Sequence, residues 1–502
     1  MVKVDIYGRG RPLRVAIMFT CQLSFILFGY DQGVFSGIVG NEDFLEVVQN
    51  PSAGILGIIV SIYNLGCFTG TIVAFLITDR LGPRKSLWFA MTWIIVGAIL
   101  QTASFSRAQL LVARFVTGIG TGIETTTVPV YQSELCEAKK RGKYVCSEPL
   151  FVGVGIVIAY WFDYGMSYVH GAINWRLPIA CQVIFAIMVV FLVFGLPESP
   201  RWLYRHNRHP EALKVLCDVY DREAEDPKIM SESAEILQAI ELETLQGEYK
   251  WSQILKRDEV QTGKRVLLAY GMQFMNQMGV LQDNVGLSRK LSLLLGGVIQ
   301  IMFVIGSFYP TFFSDRFGRR QPMMWGSFGL FISMMMISIL LSFKGTSVEK
   351  PTASASVAFF FLFMLIFGAS VNCIPWVYGP EILPLHVRAK GQAIGISANW
   401  LWNFFVVMIT PTLIQDLAWK GYLIFMCLNL VFVPIVYFFY PETANLTLEE
   451  IDFLFTDRAR HPSLPSYGPS EAEPKDTGIE TVGIRQIGSS DKTREDYVEK
   501  MD

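Results

Sequence analysis

Twelve apolar blocks divide this 502-residue chain, each of roughly 20 residues and so long enough to cross a ~30 Å hydrocarbon core. They lie at 15–38, 54–77, 87–105, 108–131, 146–168, 175–196, 265–282, 289–313, 322–343, 354–378, 392–415 and 418–440. Inside lipid no water is present to bond the backbone, so blocks of this kind must be helices. The expected fold class is therefore an all-α integral membrane protein. Only 17% of the residues are charged, against roughly 25% in a soluble domain, which excludes an ordinary soluble enzyme.

The remaining composition narrows the function. A formal net charge of −2 excludes a broadly basic nucleic-acid binder. The eight cysteines are scattered with no CxxC pair, and read as small buried hydrophobes rather than disulfides or metal ligands. The five histidines show no metal-ligand spacing and there is no Gly-rich phosphate loop, so no metal or cofactor is expected and a membrane enzyme is the weakest reading. The first apolar block is too long for a signal-peptide core and lacks a convincing cleavage site, so it reads as a retained span.

Twelve helices put both termini on one side, and positive charge sets which. With the N-terminus inside, sixteen Lys and Arg lie in the short inner stretches and six in the outer loops, so the termini read as cytoplasmic. The chain then divides into an N-terminal stretch 1–14, a six-helix half 15–196, a polar linker 197–264 with helical stretches such as 231–246, a second half 265–440, and a cytoplasmic tail 441–502. The tail is Ser-, Pro-, Glu- and Lys-rich after 456 and reads as largely disordered. Asn445-Leu446-Thr447 matches a glycosylation acceptor, but this topology puts it inside.

The halves repeat each other. Asp79-Arg80-Leu81-Gly82-Pro83-Arg84-Lys85 recurs as Asp315-Arg316-Phe317-Gly318-Arg319-Arg320. Tyr131, Glu134 and Arg141 recur with identical spacing as Tyr378, Glu381 and Arg388, and Pro197-Glu198 recurs as Pro441-Glu442. Two duplicated six-helix halves point to a transporter with its substrate site between them near the midplane.

Further motifs are Gly29-Tyr30-Asp31 in span 1, Arg114 with Gly118, Gly120 and Gly122 in span 4, Pro197-Glu198-Ser199-Pro200-Arg201 after span 6 and Pro375-Trp376 in span 10. Over about residues 15–455 the chain resembles a fungal-type sugar porter of the major facilitator superfamily. That resemblance implies the major facilitator fold and a plasma-membrane transporter whose partners are a sugar, a proton and the bilayer. Asp31 and Arg114 each lie six or seven residues from the outer end of their spans, roughly 10 Å deep, where an acid and a base can pair. The family places its proton acceptor and partner arginine at these positions. Asp79, Arg80, Arg84, Glu134, Arg141, Glu198 and their repeats Asp315, Arg316, Arg319, Glu381, Arg388 and Glu442 lie at cytoplasmic helix ends, where the family forms ion pairs that close the inner gate; a solvated charged rim is the plainer reading.

Amide side chains both donate and accept and so match sugar hydroxyls. Gln273, Asn276, Gln277 and Asn399 are the candidates, with Trp376 as a ring to stack on or an interfacial belt residue, and Phe28 beside them or in the core. Two departures stand out. Glu148 and Pro149 replace a Gln-Gln pair of the family in span 5; Glu148 binds a hydroxyl or proton, or merely faces the cytoplasm. In span 7, Asn276-Gln277-Met278-Gly279 runs straight into Val280-Leu281-Gln282, about eleven residues short of the family's pattern. The repeat agrees: Arg14 to Asp79 spans 65 positions, Arg265 to Asp315 only 50. A mispredicted exon boundary or splice variant is the preferred explanation. Against a proton-coupled symporter stand a sugar or polyol uniporter, a non-transporting sugar sensor and a transport-dead variant.

Overall fold

The structure, a computed structural model, describes residues 6–136, 141–245, 261–279, 289–384 and 387–444, with isolated positions at 258, 446, 451, 454 and 455. Among the described residues there is no strand. The first half comprises α1 (Arg11–Ile38), α2 (Glu42–Val47), α3 (Ala53–Leu81), α4 (Pro83–Thr102), α5 (Arg107–Leu135), α6 (Arg141–Met166) and α7 (Ile173–Phe194). Three shorter helices follow: α8 (Pro200–Arg205), α9 (His209–Tyr220) and α10 (Pro227–Leu245). The second half holds α11 (Thr262–Met278), α12 (Arg289–Phe317), α13 (Arg320–Leu341), α14 (Glu349–Ala369), α15 (Ile374–Ile382), α16 (Arg388–Leu417) and α17 (Gly421–Phe439).

A helix or helix pair therefore stands at each of the twelve apolar blocks. Among the described residues, nine stretches are long and apolar enough to cross a membrane by length and composition alone. They cover ten of the blocks, because the stretch over 390–439 holds both α16 and α17. The two outside that measure are α5, which carries Arg114, Glu124 and a run of threonines, and α11, only 17 residues long. The tenth block is broken: α14 ends at Ala369, and Pro375, which has no N–H to give, opens α15.

Packing repeats the duplication seen in the chain. In the first half α3 packs on α5, α4 on α7 and α1 on α6; in the second the corresponding pairs are α12 on α14, α13 on α17 and α11 on α16. A Cβ on Gly70 of α3 would lie 2.2 Å from the Ile119 carbonyl, and one on Gly306 of α12 would lie 2.2 Å from that of Leu365. Both glycines stand nine residues before the Asp of the repeated loop, so the duplicated register is one of backbone contact as well as charge. The halves meet along α3–α16 and α6–α12.

The N-terminal segment is tied to the linker. The Tyr7 hydroxyl donates to the Leu192 carbonyl at 3.0 Å, the Gly10 N–H to that of Asp218 at 2.7 Å, and Arg9 lies 3.3 Å from the Asp218 carboxylate. The linker helices thus share a side with the N-terminus. At the other end α2, which the apolar pattern does not announce, is capped by Asn41 and seats Phe44 against Phe35 and Trp175. All eight cysteines are free thiols.

Candidate functional site

Asp31 on α1 and Arg114 on α5 are both buried, at 1% and 2% exposure. They are brought together, but not as a direct ion pair. The Arg114 guanidinium donates to the Val60 carbonyl at 2.8 Å and lies 3.7 Å from the ring centre of Phe35 and 5.0 Å from that of Tyr63. These aromatic faces hold the cation by their quadrupoles. Neither Asp31 oxygen has a hydrogen-bond partner, while the Arg114 charge and the Tyr63 hydroxyl act on it. A carboxyl in that position has no donor of its own and a cation beside it.

Deeper in the same half lies an acid that the motifs pass over. Glu124 on α5 is 1% exposed, and neither of its oxygens has a hydrogen-bond partner. The signal for it was a charged residue inside an apolar block, which is expensive wherever it occurs. Glu148 on α6 is likewise buried, at 2%, and does not face open solvent. Next to it, Gln22 of α1 donates to the Ser147 hydroxyl at 2.9 Å.

The amides of the second half bond each other and the broken helix. Asn399 on α16 donates to Gln273 on α11 at 2.9 Å, and Gln277 donates to Asn276 at 3.1 Å. Asn276 donates to the carbonyls of Val371 and Asn372, at 3.0 and 3.1 Å, in the gap between α14 and α15. Those carbonyls are freed by the break, which explains why an amide stands there. Trp376 is partly buried against a cluster drawn mainly from the first half. Phe28 meets Trp400 edge-on at 5.5 Å, ring to ring across the two halves. Trp400, 1% exposed with its indole N–H unpartnered, was not singled out by the sequence because it reads as one more apolar residue of its block.

At the end that carries the linker the repeated motifs build two matching clasps. Glu198 accepts from the backbone N–H groups of Arg84 and Ser199, at 3.1 and 3.2 Å, and the Ser199 hydroxyl donates to Glu134. Glu442 accepts from those of Arg319 and Arg320, at 2.7 and 3.0 Å, and the Thr443 hydroxyl donates to Glu381 at 2.8 Å. The Tyr131 hydroxyl donates to the Pro197 carbonyl at 2.6 Å, that of Tyr378 to the Pro441 carbonyl at 3.0 Å. Gly82 and Gly318 turn the two loops at φ +84° and +76°, and a Cβ on either would run into the Glu198 or Glu442 carboxylate. Burial pushes the Glu198 carboxyl up, against its two N–H donors and the charges of Arg84 and Lys85.

One difference separates the clasps. Arg319 is buried and pairs with Glu381 at 2.9 Å, whereas the position that repeats it is the uncharged Pro83. Arg84 donates to the Phe194 carbonyl at 2.8 Å and Arg388 to that of Leu383 at 3.3 Å. Asp79 meets Arg205 at 3.5 Å in an exposed pair, and Arg80 is exposed. Each of these bonds stays within one half or joins it to the linker, so what they tie is a loop to its own helix ends rather than one half to the other. The side chains of Arg141, Asp315 and Arg316, the segment 280–288, Asn445 with Thr447, and the tail past 456 fall outside the described residues.

Comparison with known proteins gives a consistent result. The profile of the family described as "Sugar (and other) transporter" matches residues 16–455. The chain is 40% identical over 460 residues to the MFS-type transporter oryC of Aspergillus oryzae, covering 88% of this chain and 85% of that one. It is 33% identical over 470 residues to the sugar transporter STL1 of Saccharomyces cerevisiae, covering 89% and 82%. The proton:xylose symporter XylE from E. coli superposes with a TM-score of 0.74 at 22% identity, over 88% of this chain and 99% of that one, which establishes the shared fold.

Proposed function

Because the chain belongs to the family of sugar (and other) transporters, we propose that it carries a sugar or polyol across the plasma membrane together with a proton, by alternating access. The observation that carries the coupling is Asp31: a fully buried carboxyl, without a hydrogen-bond partner, beside an arginine held on two aromatic faces. When Asp31 is ionised, Arg114 is drawn toward it and away from the Val60 carbonyl. When Asp31 is protonated, the arginine returns to the Phe35 and Tyr63 rings. A contact made in only one protonation state biases a two-state equilibrium, which is what coupling requires. XylE, described as a proton:xylose symporter, shares the fold and lends support to this reading.

The substrate is held between the halves by the amides of α11 and α16, with Trp376 and Trp400 as apolar walls and Glu148 as an acceptor from the other side. The relatives named as sugar transporters favour a polyhydroxylated solute. The clasps of Glu198 and Glu442 keep each half rigid while the halves move. Both termini face the cytoplasm, on the strength of the inner charge bias. We expect Asp31→Asn to abolish accumulation against a gradient in vesicles while leaving solute exchange. Accumulation in that mutant that still follows an imposed pH gradient would sink the coupling role.

One observation favours a second reading, a protein of weak or no transport. The 17 residues of α11 give about 26 Å of helix, short of a ~30 Å core. Its end is held where it stops, with Asn429 of α17 donating to the Gly279 carbonyl at 3.0 Å.

A further inference from the structure

Glu124 has no place in the coupling scheme just given, and its surroundings ask for one. It lies seventeen residues into α5, about 25 Å from the outer end and about 15 Å inward of Arg114 along the helix. The Ser24 hydroxyl of α1 is aimed at its carboxyl, and the Asp31 charge acts on it. Ser24 is itself 1% exposed and without a partner. Further inward on α5, Thr127 and Gln132 are also buried with side-chain atoms unpartnered. Buried polar groups thus stand at successive positions along α1 and α5: Asp31 and Ser24 on the one, Glu124, Thr127 and Gln132 on the other.

Charge balance is the issue. The ionisable groups that act on Glu124 or feel its charge are Asp31 on α1 and Cys67 on α3, and Arg114 stands ten residues back on its own helix. Of the other helices packed on α5, α4 brings only Arg84 and Lys85 in its first turn, α8 its arginines at the inner end, and α6 brings Glu148. Among the described residues of these helices, Arg114 is the one cation away from the helix ends, and it is engaged elsewhere. An ionised carboxylate buried without a counter-ion, with a single hydroxyl aimed at it, is strongly disfavoured, and the smallest available counter-ion is a proton.

We propose that Glu124 is a second proton-binding carboxyl, the inner partner of Asp31. One O–H bond forms on Glu124 as one is broken on a hydronium ion or on protonated Asp31, and the same proton leaves inward when the halves open to the cytoplasm. The proposal rests on the proton-coupled reading, yet it is tested without transport. The full-length protein in lipid nanodiscs is titrated by infrared difference spectroscopy, which separates the carbonyl band of a protonated carboxyl from that of a carboxylate. Near pH 7 exposed carboxyls, with ordinary values of about 4, are ionised. We expect Glu124→Gln to lose one protonated-carboxyl band there and Asp31→Asn to keep that band. A Glu124→Gln spectrum identical to the wild type overturns the proposal.

The wild type answers independently should the variant not fold. Dicyclohexylcarbodiimide adds to protonated carboxyls in apolar surroundings, and peptide mass spectrometry is expected to find the adduct on Glu124. A digest labelled on Asp31 but not on Glu124 overturns the proposal and leaves Asp31's role standing. Glu124 labelling together with unaltered gradient-driven accumulation in Asp31→Asn overturns instead the coupling role of Asp31.

Discussion

Asp31 shows how far a single residue can be read from a sequence. An acid inside an apolar block is expensive, so its presence alone marks it. What cannot be read is the resting place of its arginine, because Phe35 and Tyr63 come from helices that pack on α5 only in the folded chain. Glu124 was equally visible by the same rule and lay outside every motif. Glu198 lends itself to a pH test. Its carboxyl is pushed up by burial, so the stability it contributes is full below the ordinary carboxyl range and lost as pH rises through its raised folded value. We expect the thermal midpoint in detergent to fall as pH rises above the ordinary carboxyl range, and Glu198→Gln to flatten part of that slope while costing about 1 kcal/mol for its weakened N–H bonds. An unaltered slope in the variant would remove Glu198 as a source.

At the scale of elements, helix placement was legible because only helices satisfy a backbone in lipid. The break between α14 and α15 was not, since α5, α6, α7 and α12 each carry a proline inside an unbroken helix, so Pro375 alone does not mark one. The Asn276 bonds to the Val371 and Asn372 carbonyls identify the break as a built feature. For α11 the two views agree on length: a short apolar run and a 17-residue helix. We expect the mature transcript to carry extra in-frame codons between those for Gly279 and Leu281. An uninterrupted junction would instead predict transport at background level, checked by uptake in a transporter-null cell.

For the whole molecule, the two halves touch through α3–α16 and α6–α12. On the first seam, a Cβ on Gly57 would lie 2.4 Å from the Met408 carbonyl, so the backbones meet. Near the second, Cys146 of α6 and Cys373 at the α14–α15 break have facing thiols, with the Cys373 thiol 3.5 Å from the Cys146 carbonyl. Alternating access requires such a contact to open. We expect a membrane-permeant oxidant to join these thiols in a variant whose other six cysteines are serine, to stop uptake, and to be reversed by dithiothreitol. Cross-linked protein that still transports would mean that α6 and α15 move as one.

By itself the sequence determined the helical class, the duplicated halves and the identity of the buried acid in span 1. Each follows from a local cost: an unbonded backbone or an ion in lipid, paid residue by residue along the chain. The tertiary structure alone decided the partners. It set Arg114 on aromatic rings, closed the Glu198 and Glu442 clasps within their own halves, aimed Asn276 at a helix break and left Glu124 facing Ser24 with no cation. Those outcomes depend on which helices pack together, and no spacing along one helix contains that information.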